Sequence, residues 1–155
     1  MLKPGQEVCP AEFACQEVHP GGFGGARNVE PMGEAAEKAL SSIIESLEAA
    51  AQRAANILGF GSGPVYGTRV HTEFEAQVKA LDLNLLTERS YLNGDPVTRG
   101  TPGSVRLDVI EGPLQSPTAV YDLKTGSATL TPSRVEQIQS NLPNGNNVPV
   151  YQVRP

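Results

Sequence analysis

A small central mixed sheet flanked by helices, of the α/β or α+β class, is what these 155 residues predict. Three observations carry that expectation. Apolar residues recur every three or four positions over 34–58, 68–83 and 133–142; they alternate with polar ones over 103–112; and clusters of Gly, Pro, Asn and Ser separate the stretches. The hydrophobic share of 39% suffices for one core. No run approaches the roughly 18 uncharged apolar residues of a membrane span, so no membrane partner is expected.

Residues 1–33 read as an irregular linker, because Pro4, Pro10, Pro20, Pro31 and the run HPGGFGG leave little room for a regular element. The opening MLKPGQEVCP lacks the apolar stretch of a cleavable secretory signal. Cys9, Cys15 and His19 lack a fourth ligand and regular spacing for zinc, and read as free thiols or a local disulfide beside a histidine. Residues 34–63 form an amphipathic helix and a Gly-rich hinge. Ala36, Leu40, Ile43, Ile44, Leu47, Ala51, Ala54 and Leu58 make a narrow stripe, fit to pack against this domain or another protein. Gly59 stops the helix, and GFGSGP breaks the chain without the GxxxxGK[ST] of a phosphate-binding loop.

The remaining span, 64–155, is the expected functional domain. Its first helix carries Val70, Phe74, Val78 and Leu81 toward the core, with His71 and Glu75 one turn apart at the margin of that stripe. Asn93-Gly94-Asp95-Pro96 is a turn, after which the chain reads as strand. In GSVRLDVIEG, Val105, Leu107 and Val109 should face one way and Arg106, Asp108 and Ile110 the other. TAVYDLKTG is the next strand. Pro132 and Ser133 open a helix with Val135, Ile138 and Leu142 inward, and VPVYQV closes the sheet. The order is helix, two or three strands, helix, strand.

Asp122 and Lys124 stand two apart on a strand and so share a side, and the short GPLQSP connection can bring Asp108 beside them. Carboxylates converging on one point repel unless a cation lies between them or one stays protonated. Oxygen donors with one imidazole suit Mg²⁺ or Mn²⁺. A metal-activated water with a neighbouring ammonium group is what phosphodiester hydrolysis requires.

GTRVHTEFE at 67–75, followed by RLDVIEG and VYDLKTG, resembles the helix motif and the two strand motifs of RecB-like members of the PD-(D/E)xK nuclease superfamily. The resemblance covers about residues 65–153 and implies a restriction endonuclease-like fold. It implies metal binding by His71, Asp108, Asp122 and the backbone carbonyl of Leu123. Lys124 would be the catalytic lysine, and Glu75 would assist through a water or a hydrogen bond. The Q-x-x-x-Y motif of many such proteins is only half present, since Gln137 is followed by Asn141 where the tyrosine would stand, and Gln139 is a second candidate.

The resemblance implies a DNase, with RNA the other substrate. An irregular front joined to a minimal nuclease is similar to the toxin end of a bacterial effector. That implies translocation into a target-cell cytoplasm and a cognate immunity protein. A housekeeping repair nuclease and a non-catalytic interaction module are the competing readings. The net charge of −5 is unusual for a nucleic-acid binder, but residues 64–155 carry eight Lys/Arg against nine Asp/Glu, three of those acids in the proposed site. A bound cation would offset part of that charge. A Ser or Cys hydrolase has little support, since there is no G-x-S-x-G and both cysteines lie in the irregular front.

Overall fold

The computed structural model describes residues 33–155: a five-stranded mixed sheet with helices on both faces. The chain runs α1 (Glu34–Leu58), α2 (Gly63–Ala80), β1 (Leu86–Leu92), β2 (Asp95–Val97), β3 (Val105–Glu111), β4 (Ala119–Leu123), α3 (Pro132–Asn141), a single 3₁₀ turn, and β5 (Val150–Val153). Strand order across the sheet is β2-β1-β3-β4-β5. The first three pairings are antiparallel; β4 and β5 are parallel, and α3 provides the crossover that a parallel pair needs. Cys9, Cys15, His19 and the irregular segment expected up to residue 32 lie outside the described residues.

α1 and α2 cover one face. Leu47, Ala50, Ala51 and Ala54 of α1 are completely buried with Val70, Phe74 and Val78 of α2 and Val109, Tyr121, Leu123 and Val153 of the sheet. The alanines let the two helices approach closely, and Arg53 Nε reaches Gln77 Oε1 across the pair at 3.3 Å. α3 covers the other face with Ile138 and Leu142, against Tyr91, Val105, Leu107, Ile110 and Val120. The helix set apart in the sequence from residues 64–155 thus belongs to the same core, and the described residues form one compact unit.

The connector after α1 is also more constrained than the expected hinge. The Tyr66 hydroxyl donates to the Gly59 carbonyl at 2.6 Å, and a Cβ at Gly61 would collide with the Tyr66 ring. α2 accordingly begins at Gly63, with Pro64 in its first turn, earlier than residue 68.

β1 and β2 are a hairpin that periodicity did not resolve. Asn93 and Gly94 take φ of 51° and 90°, the left-handed pair of a two-residue turn, and Leu92 pairs with Asp95. Pro96 is tolerated because β2 is an edge strand. β1 hides its identity because its alternation inverts midway. Leu86 and Tyr91, five residues apart, both face α3. β3 inverts at the same level: Leu107 and Ile110, three apart, face α3, whereas Val109 faces α1 and α2. This corrects the expectation that Val105, Leu107 and Val109 share a face. The pairs Thr87↔Val109 and Arg89↔Leu107 flank the inversion, the intervening Glu88–Asp108 pair is missing from the ladder, and Glu88 adopts a left-handed φ of 50°.

Candidate active site

The interruption at Asp108 continues into the next strand. β3 and β4 pair through Val109↔Tyr121, Ile110↔Val120 and Glu111↔Ala119, and beyond Val109 the ladder stops. The Asp108 carboxylate enters that opening. Its Oδ2 accepts the Leu123 backbone N–H at 2.8 Å, replacing a backbone carbonyl as the partner of β4. Its Oδ1 lies 2.9 Å from His71 Nδ1 on α2. Leu123, expected to offer its carbonyl, is therefore tied to Asp108 through its N–H.

Asp122 approaches the same opening from the α3 side and is 1% exposed. Two cations meet it. Lys124 Nζ is 2.5 Å from Oδ2, and Arg134 of α3 donates to Oδ1 through Nε at 3.3 Å and Nη2 at 3.2 Å. The lysine makes a charge contact without an aligned hydrogen bond, so Oδ2 is buried with no directed donor. The same-side placement of Asp122 and Lys124 expected from their spacing is thus realised as a contact.

The other candidates are less central. Glu75 is held by Lys79 at 2.6 Å and by Thr87 at 3.3 Å, so it lies one turn from His71 without bonding to it. Gln137 is exposed, and its Oε1 accepts from Arg134 Nη1 at 2.8 Å, reaching Asp122 only through that arginine. Gln139 faces away, donating to the Val148 carbonyl at 3.0 Å.

Two residues of the neighbourhood escaped the sequence reading. Arg134 left a signal: a cation in the first turn of a helix opposes the helix dipole and calls for a compensating anion. Glu88 left none that periodicity could detect. Its side chain is 12% exposed beside Arg106, whose Nε is 3.1 Å from Oε2. Burial pushes its pKa above the usual carboxylate range, Arg106 opposes this, and the charges of Asp108 and Glu75 add to it. His71 is also raised, by its hydrogen bond to Asp108 against the opposing effect of burial, with help from the charges of Asp108, Glu88 and Asp122.

A test in metal-free buffer follows from Glu88. A carboxyl whose folded pKa is raised contributes stability below its unfolded value, near 4.5, and loses that contribution as pH rises through the folded value. Glu88→Gln should therefore melt higher than wild type at pH 7, the gap closing as pH falls toward 4.5. An unchanged or lower melting temperature at pH 7 would contradict the burial argument.

His71 with Asp108 and Asp122 with Lys124 are two contacting pairs on opposite sides of one strand opening, linked by the Leu123 N–H. Among the described residues, no three His, Cys, Asp or Glu side chains stand close enough together to hold a metal ion. The single point of convergence expected for His71, Asp108 and Asp122 is thus not preformed, because His71 on α2 and Asp122 beside α3 reach the opening from opposite helix layers. In chemistry the set still fits a hard divalent ion: two buried carboxylates, one imidazole and the undirected Oδ2 of Asp122. Comparison with protein-family models, curated proteins and solved structures finds no match.

Proposed function

We propose that the chain is a divalent-cation-dependent phosphodiester hydrolase of the PD-(D/E)xK type, with a restriction endonuclease-like arrangement of its mixed sheet. The observation that carries the reading is the opening between β3 and β4, where buried Asp122 contacts Lys124 and Asp108 is fixed by His71 and the Leu123 N–H. A buried carboxylate pair that merely stabilised the fold would be costly, since desolvating charge often exceeds the attraction recovered.

Asp108 and Asp122 would hold Mg²⁺ or Mn²⁺, with His71 alongside. When bound, the ion supplies a water of lowered pKa and neutralises charge on the phosphoryl oxygens. Asp108 is oriented for this by its two donors, which leave each oxygen a further lone pair. Lys124 is partly exposed and can orient the attacking water or stabilise charge developing on the phosphate. The hydrogen bond from Asp108 raises the pKa of His71, so the imidazole gives up its second proton less readily than a free one, and it must be neutral to serve as a ligand. DNA is the proposed substrate. The biological setting we infer is a translocated bacterial effector acting in a target-cell cytoplasm and restrained by an immunity protein, a reading that rests on the motif resemblance and the Gly/Pro-rich front alone.

Incubating supercoiled plasmid with the protein tests the chemistry. Nicking or degradation is expected with Mg²⁺ or Mn²⁺ and should stop with EDTA. Intact plasmid in the presence of either ion rejects the DNase, and cleavage of an RNA strand run in parallel would move the reading to a ribonuclease.

A further inference from the structure

Arg134 is the side chain on α3 that touches both strands of the opening. From its position in the first turn of the helix it donates to Asp122 Oδ1 on β4 through Nε and Nη2. Nη2 also donates to the backbone carbonyl of Arg106 on β3 at 3.0 Å, and Nη1 donates to Gln137 Oε1 at 2.8 Å. A guanidinium has five N–H donors, and four are engaged in these bonds. The group is consumed by protein acceptors, which argues against a clamp for the substrate phosphate.

The ladder between β3 and β4 ends at Val109 and Tyr121, so no backbone pair fixes the distance between Arg106 and Asp122. Two side chains take over that task. Asp108 spans the opening from β3 to the Leu123 N–H, and Arg134 spans it from α3 to Arg106 and Asp122. The planar fork sets both direction and spacing, which a lysine, with one ammonium point on a flexible stem, does not.

We propose that Arg134, steadied by Gln137, is a positioning residue that fixes the Asp122 carboxylate relative to Asp108 and so tunes the affinity of the site for its divalent cation. This rests on the metal-dependent reading above. Gln137 then acts through the arginine, which gives this glutamine a role without the tyrosine of the usual motif. Arg134 left a helix-dipole conflict in the sequence, and Asp122 together with Gln137 resolves it.

The test uses Mn²⁺ as probe on the full chain, with binding measured by calorimetry and turnover by plasmid nicking. Arg134→Lys keeps the positive charge beside buried Asp122 and loses the fork. It should weaken Mn²⁺ binding by about ten- to a hundredfold, the range for residues that orient metal ligands. Its turnover at saturating Mn²⁺ should fall less than its affinity. Gln137→Leu, on an exposed side chain that leaves the fold intact, should weaken binding by a smaller factor. The double variant should match Arg134→Lys alone, because one residue acts through the other. Wild-type Mn²⁺ affinity in Arg134→Lys overturns the inference, and additive losses overturn the role of Gln137. A wild-type chain that binds no Mn²⁺ overturns the metal-dependent reading itself, and the positioning role with it.

Discussion

Asp122→Ala should abolish plasmid cleavage, with a loss of at least about 10²–10³-fold, the scale of losing one group that stabilises charge in a transition state. The expectation is strong because Asp122 is the most buried acid described and because Lys124 and Arg134 are both organised around it. Removing it leaves those two cations facing each other without the intervening anion. Deleting one partner of a fully buried ion pair costs about 3–5 kcal/mol. Lys124 and Arg134 are 19% and 27% exposed and can turn toward water, so a smaller cost of about 1–3 kcal/mol is expected here. The variant should remain folded in a thermal melt while its nicking activity disappears. Wild-type cleavage by Asp122→Ala would remove the carboxylate from the mechanism.

A fragment of residues 64–155, the domain that the sequence marks out, should fail to fold. Without α1 it loses Leu47, Ala50, Ala51 and Ala54, all completely buried, and uncovers the faces of Val70, Phe74, Val78 and Tyr121. Full burial of one large apolar side chain is worth about 1.5–3 kcal/mol. Uncovering several exhausts the roughly 5–15 kcal/mol that holds a domain together. Residues 33–155 should melt cooperatively, and the shorter fragment should show no dispersed amide spectrum. A dispersed spectrum for 64–155 would mean that α1 is an accessory. Any toxicity assay in bacteria therefore needs the longer span, since a silent short fragment would report unfolding.

The elements legible in the sequence are those whose pattern is uniform. Leu47, Ala51 and Ala54 of the α1 stripe, the α2 positions Val70, Phe74 and Val78, the strand around Tyr121, and Ile138 and Leu142 in and just after α3 keep one period and are buried as expected. Leu40, Ile43, Ile44 and Leu58 of that stripe are half-buried, and Ala36 is exposed. β1 was not legible because Leu86 and Tyr91 serve one face from positions of opposite parity, so no alternation survives in LTERSYL. The boundary near residue 64 misled for another reason: glycines mark both a flexible joint and a turn too tight for a side chain, and at Gly61 it is the second. At the site, the contact of Lys124 with Asp122 follows from their spacing along one strand. The pairing of His71 with Asp108, 37 residues apart, depends on how α2 crosses the sheet, and local pattern carries no record of that.

The shared inversion at Glu88 and Asp108 bears on how the sheet assembles. In regular antiparallel strands a slip of one residue exchanges faces, but a slip of two restores them and can go unnoticed. Here a slip of two would set the inversion of β1 against a regular stretch of β3, driving Leu86 or Ile110 toward the wrong helix layer. Only one alignment lets both strands change sides together. The irregularity that opens space for the carboxylates thus also acts as a notch that locks β1 and β3 in register.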